Sequence, residues 1–75
     1  MKLENVLNVI EKTNVVPNFS NFKPGGSFEE NGVDSLDTYT IILALEEEFG
    51  VGLEDEELES IDTAEKVFAY ISSRI

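Results

Sequence analysis

Seventy-five residues, 41% apolar and without cysteine or histidine, make one small domain over residues 1–75, whose folding must rest on a packed core rather than on disulfides or a zinc cluster. Sixteen acidic residues oppose five basic ones, for a formal net charge of -11, and fourteen of those acids lie between Pro24 and Glu65, where there is no lysine or arginine. That field excludes nucleic acid, which requires cationic side chains for its phosphates, and suits basic protein surfaces.

The first helix is expected over residues 2 to 14, where Leu3, Val6, Leu7 and Ile10 recur on one face. Pro17, Pro24, Gly25, Gly26 and Gly32 then mark a long loop from Val16 to Asp34, with Phe19, Phe22 and Phe28 as candidates for pinning it to the bundle. Either Asp34 or Ser35 can cap a second helix that Gly50 should end. Asp34 and Asp37 suit the positive end of its dipole, whereas Glu46, Glu47 and Glu48 oppose the negative end with no evident structural gain. A short acidic helix is expected within Glu54 to Ser60. A last one begins with a box-like Asp62 and Glu65 and carries the apolar stripe Ala64, Val67, Phe68, Ile71 and Ile75. The fold class is therefore all-α: a small up-down bundle of three main helices and one short one, with no strand, repeat or second domain. Met1-Lys2-Leu3-Glu4 opens no signal peptide and no apolar run is long enough to span a membrane, so a soluble, cytoplasmic monomer is expected.

At about 100° per residue, Thr38, Ile41, Ile42, Leu45 and Phe49 share the core side of the second helix. Leu36, Tyr39 and Leu43 fall opposite, with Thr40, Glu46 and Glu47. Scattered surface apolarity and packing under the long loop are ordinary explanations of that second stripe. An apolar strip edged by acids is also what a partner with a shallow groove ringed by lysine and arginine would recognise.

A serine nucleophile normally needs a base beside it, usually histidine, and this chain has none. No metal set or phosphate-binding glycine loop accompanies Ser35, and the acidic run Glu54 to Glu59 lacks the alternating ligands and central glycine of a calcium loop. The chain is therefore not expected to be an enzyme or to hold a dedicated metal. Ser35 reads either as a plain helix cap or as an attachment point for chemistry brought from elsewhere.

From Ser27 to Ile71 the sequence resembles bacterial acyl carrier proteins: Ser27-Phe28, Gly32-Val33-Asp34-Ser35-Leu36-Asp37-Thr38, Ala44-Leu45-Glu46-Glu47-Glu48-Phe49, Asp55-Glu56-Glu57 and Tyr70-Ile71. The resemblance implies a four-helix bundle and a 4′-phosphopantetheine arm, transferred from coenzyme A to Ser35 by a separate transferase, with Asp34 and Leu36 flanking the site. Acyl intermediates would ride on the arm's thiol as thioesters, for fatty acid or related lipid biosynthesis. The acyl chain would withdraw into a pocket for which Phe28, Leu45, Leu53, Leu58, Ile61, Val67 and Tyr70 are candidates. Acyl-transferring and chain-elongating enzymes with basic docking patches, and the transferase itself, would meet Asp37, Tyr39, Thr40, Leu43, Glu46 and Glu47.

Asn31, Tyr39, Thr40, Leu43 and Glu54 depart from the family's usual leucine, small aliphatic residue, glutamate, methionine and proline. Those on the outer strip leave open a specialised carrier for a polyketide, modified-lipid or aminoacyl pathway. A further alternative is a carrier-like interaction subunit that is never modified.

Overall fold

A computed structural model describes residues 1–53 and 61–75 and contains three α-helices: α1 (Leu3–Lys12), α2 (Ser35–Phe49) and α3 (Ala64–Arg74). The short helix expected within Glu54 to Ser60 lies outside the described residues, as does the pocket candidate Leu58. Helix α1 packs against both α2 and α3, and no named strand occurs among the described residues.

Helix α1 is amphipathic, burying Val6, Val9 and Ile10. It stops two residues before the expected end because the Thr13 hydroxyl donates back to the Ile10 carbonyl at 2.6 Å and Asn14 turns left-handed, φ 59°. Asparagine tolerates that conformation better than most residues.

The connection to α2 is ordered by its own contacts. Phe19 and Phe22 stack at 5.4 Å around a single 3-10 turn at Phe19–Asn21, Phe22 meets Phe28 at 6.4 Å, and Phe28 is buried. The expectation for these three rings is met.

Asn31 supplies the polar counterpart. Its Oδ1 accepts from the Lys23 N–H at 2.8 Å, while its Nδ2 donates to the carbonyls of Lys23 at 3.1 Å and Ser27 at 2.9 Å. A leucine could satisfy none of these backbone groups, so the asparagine closes the loop by hydrogen bonding. Gly32 follows at φ 82°, a left-handed conformation available to glycine at little steric cost.

Helix α2 starts as expected. Asp34 is the N-cap, its Oδ1 accepting from the Asp37 N–H at 2.8 Å, and Gly50 ends the helix at φ 67° with its N–H on the Glu46 carbonyl. Ile41, Ile42 and Leu45 are buried.

Helix α3 begins one residue later than the sequence suggests. Thr63, not Asp62, is its N-cap, the Thr63 hydroxyl accepting from the Lys66 N–H at 3.0 Å. Thr63 is still extended there, in an isolated antiparallel bridge with Ser27, and the Asp62 carbonyl before it accepts from the Phe28 N–H at 2.9 Å. The Asp62 side chain instead meets Lys66 Nζ at 2.9 Å across one helical turn. Both groups are about half exposed, so the pair adds little stability.

Ile75 is also a correction to the α3 stripe: it lies past Arg74 and is 67% exposed, while Ala64, Val67 and Ile71 are buried. Phe28, Val33, Val51, Leu53 and Ile61 complete the core from non-helical segments.

Candidate functional site

Ser35 is the first residue of α2. The neighbouring Asp34 takes the capping role, so Ser35 is released from it, and its hydroxyl is exposed and makes no hydrogen bond among the described residues. The reading of Ser35 as a plain cap is thereby set aside. The other hydroxyls nearby are occupied: Thr38 Oγ1 donates to the Asp34 carbonyl at 2.8 Å and Thr40 Oγ1 to that of Leu36 at 3.3 Å.

Beside Ser35 opens a cleft of about 530 Å³, lined by Ser27, Phe28, Glu29, Val33, Asp34, Thr38 and Asp62 with Ser35 itself. Its walls come from the end of the loop, the first turn of α2 and, distant in sequence, Asp62. The bridge between Ser27 and Thr63 and the Phe28 N–H bond to Asp62 draw the end of the loop against the start of α3, and α2 rises from the third side. Phe28 and Val33 are buried, giving the cleft an apolar floor, while Glu29, Asp34 and Asp62 give it an acidic rim.

The sequence reading anticipated Phe28, Asp34 and Ser35 here but missed Ser27, Glu29, Val33, Thr38 and Asp62 as lining residues. Val33 and Thr38 flank the serine closely enough that their nearness was a usable signal. Nothing in one-dimensional spacing brings residue 62 to residue 28.

Of the pocket candidates, Leu45, Leu53, Ile61 and Val67 are fully packed in the core, and Phe28 is the one that also faces the cleft. Tyr70 is half-buried at the surface, its hydroxyl donating to the Gly52 carbonyl at 3.4 Å and its ring lying 4.6 Å beneath the Arg74 guanidinium. A chain of methylenes could enter this core only by displacing existing contacts, since protein interiors leave few voids.

Leu36, Tyr39 and Leu43 remain exposed, at 78%, 51% and 41%, so neither the core nor the long loop covers them. Thr40 and Glu47 are exposed beside them, and Asp37 is half-buried at the N-terminal end. Isolated apolar residues would be unremarkable on a surface, but three along one helix make a continuous strip.

Glu46 departs from its neighbours. Its Oε2 accepts from the Leu53 N–H at 2.6 Å, fastening the segment after α2 back onto the helix. The acid that opposes the helix dipole therefore has a structural role, contrary to the expectation that the run from Glu46 to Glu48 brings none.

No helix of the described residues is long and apolar enough to cross a membrane. Residues 6–71 match the family model described as the phosphopantetheine attachment site. An acyl carrier protein of Thermosynechococcus vestitus (strain NIES-2133 / IAM M-273 / BP-1) is 45% identical over 53 residues, 69% of this chain and 65% of that relative. The chain thus spans just under two thirds of that relative's length. No solved structure matches.

Proposed function

The chain belongs to the acyl carrier family defined by the phosphopantetheine attachment site, and from that premise we propose that Ser35 bears the 4′-phosphopantetheine group and that residues 1–75 act as one carrier unit. The group is covalently attached in this family and supplies, on its terminal thiol, the place where acyl cargo is held as a thioester.

The observation that carries the assignment is the Ser35 hydroxyl, exposed and without a hydrogen bond among the described residues, at the head of α2 between Asp34 and Leu36. A separate transferase is needed because the chain has no histidine or cysteine to activate the serine. Ser35 Oγ would attack the phosphorus of coenzyme A that carries the pantetheine. The new P–O bond forms as the bond to 3′,5′-ADP breaks, and the serine proton passes to a base on the transferase. Asp34 fixes the first turn of α2, so the nucleophile is presented from a rigid element rather than from the loop.

The acidic rim and the exposed strip Leu36, Tyr39 and Leu43 support a docking face for the transferase and for acyl-handling enzymes with basic patches. Charge would steer the approach and apolar contact would hold it. The cleft floored by Phe28 supports a route for the cargo: an acyl chain would enter beside Ser35 and displace Phe28 to reach Leu45, Leu53, Ile61 and Val67. We assign the carrier to the cytoplasm and to fatty acid or related lipid biosynthesis.

Incubation with coenzyme A and a broad-specificity phosphopantetheinyl transferase tests the assignment. Intact mass should rise by one arm in the wild type and stay unchanged in Ser35→Ala. Equal modification of the two proteins, or none of the wild type with several transferases, would remove the carrier reading.

A further inference from the structure

We propose that Tyr39 is a positioning residue for the prosthetic group, its phenol hydroxyl donating a hydrogen bond to the phosphodiester on Ser35; this rests on the assignment of Ser35 as the attachment serine. Residues four apart on an α-helix are neighbours on one face, and a long side chain in a helix leans toward the N-terminal end, over the preceding turn. Tyr39 stands four residues after Ser35 on the exposed side of α2. Its lean is therefore toward the serine.

The donors around Ser35 narrow the choice. The Asp37 N–H is held by the Asp34 carboxylate and the Thr38 N–H by the Asp34 carbonyl, each at 2.8 Å. The hydroxyls of Thr38 and Thr40 point their protons at carbonyls of the preceding turn. Tyr39 is 51% exposed and its hydroxyl has no hydrogen-bond partner among the described residues, so on this stretch of α2 it is the side-chain donor still to be used.

Charge makes a neutral donor useful here. A phosphodiester on Ser35 would stand between Asp34 and Asp37, and no lysine or arginine occurs in sequence from Pro24 to Glu65. The helix dipole favours the phosphate and the two carboxylates oppose it. A phenol adds a hydrogen bond to an ionised acceptor without cancelling the negative face that partners would read. The consequence is a phosphate held toward the outer strip of α2, with the rest of the arm left to swing.

The hydroxyl and the ring can be tested separately. Wild type, Tyr39→Phe and Tyr70→Phe are each loaded with the arm, verified by intact mass, and compared by ³¹P NMR of the phosphodiester, with circular dichroism as the check on folding. Tyr39→Phe keeps the apolar ring on the surface and should fold as wild type does. Its ³¹P resonance should move away from the wild-type position, as loss of a donor requires, while Tyr70→Phe leaves the resonance in place. Nuclear Overhauser contacts from the Tyr39 ring to the arm's methylene next to phosphorus should appear in the wild type and weaken in Tyr39→Phe. If the arm is present and the resonance of Tyr39→Phe coincides with wild type, the role of Tyr39 is wrong and the attachment reading stands. If no arm is added to any of the three proteins, the attachment reading fails and takes this proposal with it.

Discussion

The two ends of α2 use the same chemical device to opposite effect. At the N-terminus the Asp34 carboxylate accepts from the Asp37 N–H, aligned with the helix dipole, and so leaves the Ser35 hydroxyl out of the cap. At the C-terminus the Glu46 carboxylate accepts from the Leu53 N–H, against the dipole, and so ties down the segment that carries Val51 and Leu53 into the core. One acid exposes a reactive group and the other closes the chain over the interior. A carboxylate's place in an acidic run does not disclose its role; the donor it faces does.

Breaking the floor of the cleft should have the largest effect on this arrangement. Phe28 is buried, meets the Phe22 ring at a tilt and joins the cleft to the core, so Phe28→Ala should cost about 3–5 kcal/mol in urea unfolding. In a domain of this size that loss can leave the folded state barely populated.

Severing the C-terminal tie comes next. Glu46→Ala strands the Leu53 N–H beside the core and should cost about 1–3 kcal/mol, with amide exchange at Leu53 accelerating most. Glu46→Gln keeps an oxygen acceptor and removes a charge that opposes the dipole, so it should lose less than Glu46→Ala. Equal losses would show that the charge rather than the hydrogen bond matters there.

At the other end, Asp34→Ala removes the cap and should cost about 1 kcal/mol, while Asp34→Asn, which can cap equally well, should cost less. Both leave the serine in place, so any loss of modification beyond the fraction unfolded measures recognition of Asp34 by the transferase.

Glu47→Lys is expected to have the smallest effect on stability, within about 0.5 kcal/mol, because the residue is exposed. It should still slow modification, most at low salt, if charge steers docking. An unchanged rate across ionic strength would make the outer strip an ordinary solvated surface.

Helical faces were readable because periodicity reports burial directly. Ile41, Ile42 and Leu45 alternate with Leu36, Tyr39 and Leu43 around α2 just as a 3.6-residue period requires, and one group is buried while the other is exposed. Ser35 was readable for a different reason: Asp34 and Leu36 flank it at the mouth of that helix.

The start of α3 was not readable, since choosing Thr63 over Asp62 depends on Phe28 reaching across from the loop. Three of the lining residues of the cleft, Ser27, Glu29 and Asp62, depend on the same loop docking, and the tie from Glu46 spans seven residues through the left-handed turn at Gly50. These contacts are set by tertiary closure, to which local pattern is blind. Asn31 belongs with them: in sequence it is a polar substitution, and only the folded loop reveals which backbone groups it satisfies.

The central claim is that one serine, freed from capping by its neighbour, carries the arm, and site mapping of the loaded protein tests it most directly. Fragmentation mass spectrometry after transfer from coenzyme A should locate a single phosphopantetheine on Ser35, with Ser20, Ser27, Ser60, Ser72 and Ser73 unmodified. An arm found on Ser27, which lines the same cleft, or on any other serine while Ser35 stays bare would contradict the account.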